Sequence, residues 1–101
     1  MNFLCRFYFG DLGVSERTTR IVKDLLVLEQ TPAYRLSGKT GWAGLGKPSA
    51  PQIGWLAGYL ERGGNVYFFA TNIDIEKNED AAARLSITKA ILRDLGLIEA
   101  N

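Results

Sequence analysis

Arg62-Gly63-Gly64-Asn65 leaves the chain little choice about what lies on either side of it. Two adjacent glycines between two apolar runs, residues 52–60 and 66–75, read as the turn of a β-hairpin. A third extended run, Tyr34 to Gly41, is joined to the first by a glycine- and proline-rich loop at 43–51. Connections this short make the three strands antiparallel neighbours. In Ile53-Gly54-Trp55-Leu56-Ala57-Gly58-Tyr59 small residues interleave with large ones. Glycines inside a strand mark places where another backbone or a ligand comes close. Trp55 and Tyr59 share one face of that strand and read as core. Residues 66–75 are apolar enough to be covered on both faces.

Helical spacing brackets the strands. Phe3, Leu4, Phe7 and Tyr8 predict a helix over 2–9. Ser15 is an N-cap with Glu16 in the first turn. Ile21, Val22, Leu25 and Leu28 then mark one face of a helix over 15–29, ended by Thr31-Pro32. A last helix runs from about Asp80 to Leu95, with Leu85, Thr88, Ile91, Leu92 and Leu95 inward and Gly96 as its C′ glycine. The expected fold is α+β, a three-stranded antiparallel sheet with packed helices. The 101 residues are expected to form one partial domain, because the helix at 2–9 begins with no room for a preceding cap.

Composition removes several functions. Twelve basic and eleven acidic residues nearly cancel and are interspersed, so there is no basic stripe to capture nucleic acid. The absence of histidine excludes Ser-His-Asp and Cys-His catalysis, and any His-containing metal site, within this chain. No cofactor or metal is expected. Cys5 is the only cysteine, so no internal disulfide can form. Residues 3–9 are too short, and too interrupted by Arg6, to span a membrane.

The chemistry concentrates in Lys39-Thr40-Gly41-Trp42. Successive side chains of an extended chain diverge, so Lys39 and Thr40 can serve one ligand only along the strand's edge. Gly41 lacks the Cβ that would hold such a ligand off the backbone, and the Trp42 N–H can then donate to it. The sum is an anion-holding surface beside a strand edge; its plain alternative is a basic turn before a core tryptophan.

Four blocks give the strand a context: residues 31–42, 53–61, 65–75 and 83–92. Together they resemble the C-terminal part of the class D (oxacillin-type) serine β-lactamases, and the similarity runs over nearly the whole chain. The resemblance implies a β-lactam substrate and a periplasmic or secreted enzyme of about two and a half times this length. Lys39 would supply positive potential and take part in proton movement. Thr40 would give its hydroxyl to the substrate carboxylate, Gly41 would let the ligand approach, and the Trp42 N–H would be half of the oxyanion hole. Arg84 would clamp the carboxylate with its planar fork; otherwise it is a solvated helix arginine paired with Glu79 or Asp80. The nucleophile elements of that family lie N-terminal to the lysine–threonine–glycine strand, and none is found in the 38 residues before Lys39. The chain alone is therefore expected to be inactive and to need an N-terminal segment as partner. Two other readings are a non-catalytic β-lactam-binding sensor fragment and an inactive truncated product.

Ser86-Ile87-Thr88-Lys89 formally matches Ser-x-x-Lys. It follows the strand motif and lies within an amphipathic helix, where Ser86 and Lys89 are ordinary i, i+3 neighbours. Glu61 beside Arg62 reads as a solvated hairpin pair.

Overall fold

The computed structural model describes residues 2–44, 47 and 49–99. Its elements run α1 (Asn2–Tyr8), α2 (Glu16–Leu25), β1 (Val27–Gln30), β2 (Arg35–Ala43), β3 (Ile53–Arg62), β4 (Asn65–Asp74), a 3-10 helix (Asn78–Ala82) and α3 (Ala83–Asp94). The architecture is α+β, as the pattern implies. The sheet, however, has four strands in the order β1-β2-β3-β4, not three. Met1 and, within the 43–51 loop, Leu45, Gly46 and Pro48 lie outside the described residues.

The extra strand comes from the end of the expected 15–29 helix. Ser15 does cap α2, its Oγ accepting from the Thr18 N–H at 3.1 Å. The helix then stops at Leu25. Thr31 explains why: its N–H donates to the Tyr34 carbonyl at 2.9 Å, and its Oγ1 accepts from the N–H groups of Ala33 and Tyr34, each at 3.1 Å. This turn reverses the chain and lays Val27–Gln30 antiparallel to β2, with Gln30 opposite Arg35, Glu29 opposite Leu36 and Val27 opposite Ser37. The register shifts at Leu28, a bulge that lets four residues oppose three. Cross-strand bonding thus outcompetes the helical periodicity of Leu25 and Leu28.

The chain divides into two compact units, residues 1–39 with 58–69 and residues 40–57 with 70–101. In the first, Phe7, Tyr34, Leu36, Tyr59 and Leu60 are buried. Tyr8 of α1 meets Tyr59 and Phe68 edge-on, with ring centroids 4.7 and 5.8 Å away. Gly58 is where two backbones meet: a Cβ there would lie 2.0 Å from the Ser37 carbonyl oxygen. The hairpin turns on Gly63 and Gly64, with φ of +59° and +81°, as a two-residue loop of this kind requires.

In the second unit Leu56, Ile75, Leu92 and Ile98 are buried. The α3 hydroxyl of Thr88 donates to the Arg84 carbonyl at 2.7 Å, and so accepts from Thr71 of β4, also at 2.7 Å. Gly96, with φ +76°, ends the helix in a Schellman turn: Leu97 N–H to Leu92 carbonyl and Gly96 N–H to Arg93 carbonyl, both 2.9 Å.

Three burial expectations fail. Ile91 and Leu95 are 50% and 65% exposed, because α3 turns its Thr88–Leu92 stripe inward and leaves the adjoining stripe outside. The β4 strand is not covered on both faces; it is one of the sheet's two edge strands among the described residues, and its exposure alternates. Trp55 is 37% exposed, not core.

Candidate active site

Lys39, Thr40, Gly41 and Trp42 all lie on β2. The described pairing with β1 covers only Arg35–Ser37, followed by the Gly38 N–H on the Leu26 carbonyl at 2.9 Å. Beyond that point the chain of β1 has become helix α2. Amides alternate in direction along an antiparallel strand, so those of Thr40 and Trp42 point to the same side as the amide of Gly38. A strand that outruns its neighbour in this way has backbone donors on that side that β1 does not take up.

Arg84 reaches this strand from the start of α3. Its Nη1 donates to the Gly41 carbonyl at 2.9 Å and its Nε to the Ala81 carbonyl at 2.8 Å. The expected alternative of a pair with Glu79 or Asp80 is not what holds it. Asp80 is engaged elsewhere: its carboxylate accepts the N–H groups of Glu76 and Lys77, each at 3.0 Å, and those two bonds hold its pKa below the usual value. Room for the arginine stem comes from Gly54, where a Cβ would lie 3.1 Å from Arg84 Cδ and 2.6 Å from Ile75 Cδ1.

Gly41 is in close contact with a second tryptophan. The direction its Cβ would take is filled by the Trp55 indole, with Cε2 and Cζ2 only 2.0 Å from the would-be atom. Glycine at this position seats Trp55 against the strand. The Trp42 side chain is held too, its Nε1 donating to Gln52 Oε1 at 2.8 Å. Thus Arg84, Gly41, Trp55, Trp42 and Gln52 form one connected set, in which Thr40 is half-buried. The border between the two compact units falls after Lys39, whose own side chain is exposed.

Gln52 escaped the sequence reading. The available signal was a long amide directly after a loop whose two prolines, Pro48 and Pro51, have no N–H to give, so that its carbonyls need a donor from elsewhere. Ser86 behaves as an ordinary helix serine: it is exposed and turned back to the Ala82 carbonyl at 3.3 Å. Glu61 is not a hairpin pair with Arg62 alone. It accepts from the Tyr8 hydroxyl at 2.7 Å and lies 3.9 Å from Arg35. Burial, then that bond, pushes the Tyr8 phenol up to about 12. A groove of about 470 Å³ in the first unit is lined by Tyr8, Tyr34, Arg35 and Glu61 and by none of the five motif residues.

A lysine–threonine–glycine run on a strand, with an arginine bonded to its glycine carbonyl, has counterparts in a recognisable class of protein. Residues 9–95 match the family described as the penicillin-binding protein transpeptidase domain, and the chain belongs to that family. Its curated relatives include beta-lactamase OXA-5 of Pseudomonas aeruginosa, 39% identical over 98 residues that make up 97% of this chain and 37% of the relative. Beta-lactamase OXA-48 of Klebsiella pneumoniae is 37% identical over 97% of this chain and 36% of its own length. Among solved structures, the class D beta-lactamase YbXI from Nostoc superposes with a TM-score of 0.87 at 52% identity, covering 96% of this chain and 39% of that one. The class D beta-lactamase FUS-1 (OXA-85) from Fusobacterium nucleatum subsp. polymorphum gives 0.86 at 30% identity over 97% and 40%. The chain therefore spans somewhat over a third of the length of the relatives it matches. Among the described residues no helix is long and apolar enough to cross a membrane.

Proposed function

We propose that this chain supplies the substrate-carboxylate site and half the oxyanion hole of a serine β-lactamase. The observation that carries the proposal is the 2.9 Å bond from Arg84 Nη1 to the Gly41 carbonyl, a guanidinium held on the motif strand itself. Kinship with class D enzymes supports the reaction class.

In this reading the guanidinium of Arg84 and the hydroxyl of Thr40 receive the β-lactam carboxylate, a planar fork and a point donor on one anion. The ammonium of Lys39 adds positive potential and takes part in moving the proton. A serine outside these 101 residues attacks the lactam carbonyl. As the tetrahedral oxygen gains charge, the Trp42 N–H donates to it, a contribution of roughly 3–4 kcal/mol for one such donor. The C–N bond then breaks with the proton delivered to the ring nitrogen, and water cleaves the acyl-enzyme. In this reading the enzyme works in the periplasm or outside the cell. The 101-residue chain alone does not turn over.

The test replaces the matching 98-residue segment of an OXA-5-type enzyme with this chain. The chimera should hydrolyse a chromogenic cephalosporin, and Arg84→Ala should raise KM far more than it lowers kcat. A folded chimera indifferent to Arg84→Ala would sink the carboxylate assignment. Steady hydrolysis by the 101-residue chain, lost in Ser86→Ala, would sink the claim that the nucleophile lies elsewhere.

A further inference from the structure

Gln52 makes four side-chain hydrogen bonds with one amide group. Its Oε1 accepts from the Trp42 indole at 2.8 Å; its Nε2 lies 2.7, 3.0 and 3.1 Å from the carbonyl oxygens of Gly44, Lys47 and Ala50. Its backbone is fixed as well, since its carbonyl accepts the Ile75 N–H at 2.9 Å. The three carbonyl-bearing residues are also linked to one another, Lys47 N–H donating to the Gly44 carbonyl and Ala50 N–H to the Lys47 carbonyl, both at 2.9 Å. Gly44 is shaped to the Gln52 amide: φ is +89°, and a Cβ there would stand 2.8 Å from Gln52 Nε2.

We propose that Gln52 is a positioning residue, which fixes the backbone amide of Trp42 in the direction a developing oxyanion needs. The proposal rests on the role given to Trp42 above. A backbone N–H has no side chain of its own to aim it; it is aimed by whatever fixes the φ and ψ of its residue. At Trp42 the β1 side of the strand has no partner in the described pairing and only β3 flanks it, so the indole is a second handle on this backbone, and Gln52 holds that handle. The same amide ties the handle to three carbonyls that would otherwise turn to water.

Two variants separate the halves of this device. Gln52→Met keeps the length and loses both functions. Gln52→Glu keeps an oxygen for the indole and loses both amide protons. The probe is the 15N-labelled chain titrated with benzylpenicillin. In the parent, penicillin should shift the Trp42 amide and Arg84 Nε resonances along one binding curve. In Gln52→Met the Trp42 indole proton should exchange at least roughly tenfold faster. Its backbone amide should stop responding to penicillin while Arg84 still responds. In Gln52→Glu the indole should stay protected while the Lys47 and Ala50 amides exchange faster. An unchanged Trp42 response in the Met variant would overturn the proposal. So would loss of the Arg84 response along with it, because that describes a merely structural residue. A parent chain with no response at either residue would overturn the carboxylate site first, and this proposal with it.

Discussion

Adding one carbon at Gly58 should cost far more than adding the same carbon at Gly41. At Gly58 the new Cβ would lie 2.0 Å from the Ser37 carbonyl oxygen, 2.7 Å from Gly38 Cα and 2.9 Å from Ser37 C. The first distance is 1.4 Å short of the 3.4 Å at which ordinary contact begins, and every obstacle is backbone. Relief requires β2 and β3 to part locally, giving up about two interstrand hydrogen bonds at roughly 1 kcal/mol each. Overpacking strain adds about 1–3 kcal/mol. The sum, about 4 kcal/mol, is a large share of the roughly 5–15 kcal/mol that holds a domain folded. At about 4–8 °C per kcal/mol for this size, Gly58→Ala should lower Tm by roughly 15–30 °C. At Gly41 the obstacle is the Trp55 indole, a side chain already 37% exposed that can swing outward. That substitution should cost only about 1–2 kcal/mol. Thermal melts of both variants, followed by far-ultraviolet circular dichroism, decide the matter. Gly58→Ala melting within about 4 °C of the parent, or above Gly41→Ala, would refute the close-approach reasoning.

The Tyr8 phenol, raised from 10.0 to about 12 chiefly by burial and then by its bond to Glu61, favours the protonated form in the folded state. Its contribution to stability is therefore complete below pH 10.0 and lost as pH rises through about 12; Glu61→Gln should lower the titration midpoint seen by phenolate absorbance. Ser15→Ala removes the oxygen that accepts the Thr18 N–H and should cost about 1 kcal/mol, read as a Tm lower by about 4–8 °C.

Elements with local signals were legible in the sequence. Ser15, Gly63-Gly64 and Gly96 each dictate backbone geometry through their own chemistry, and each does in the structure what its residue type requires. Val27–Gln30 was not legible, since its state is decided by a turn at Thr31 and a partner ten residues away, while Leu25 and Leu28 imitate a helix face. Exposure was read least well. Ile91, Leu95 and Trp55 are apolar at sound positions, yet which stripe turns inward depends on what the other elements cover. Of the proposed site, the lysine–threonine–glycine strand and Arg84 were named from the sequence, and their roles stand as proposals. The partner of the arginine, a backbone carbonyl, could not be named, because every residue owns one. Gln52 was hidden for the same reason, as its partners are mostly carbonyls.

The central claim is that Arg84 and the strand of Thr40 and Trp42 together receive a carboxylate. The direct measurement is an NMR titration of the chain with a penicillin and, separately, with its methyl ester. The acid should move the Arg84 Nε resonance and the Thr40 and Trp42 amides on one saturating curve, and the ester should leave all three in place. Equal shifts from acid and ester, or an Arg84 resonance indifferent to both, would contradict the account.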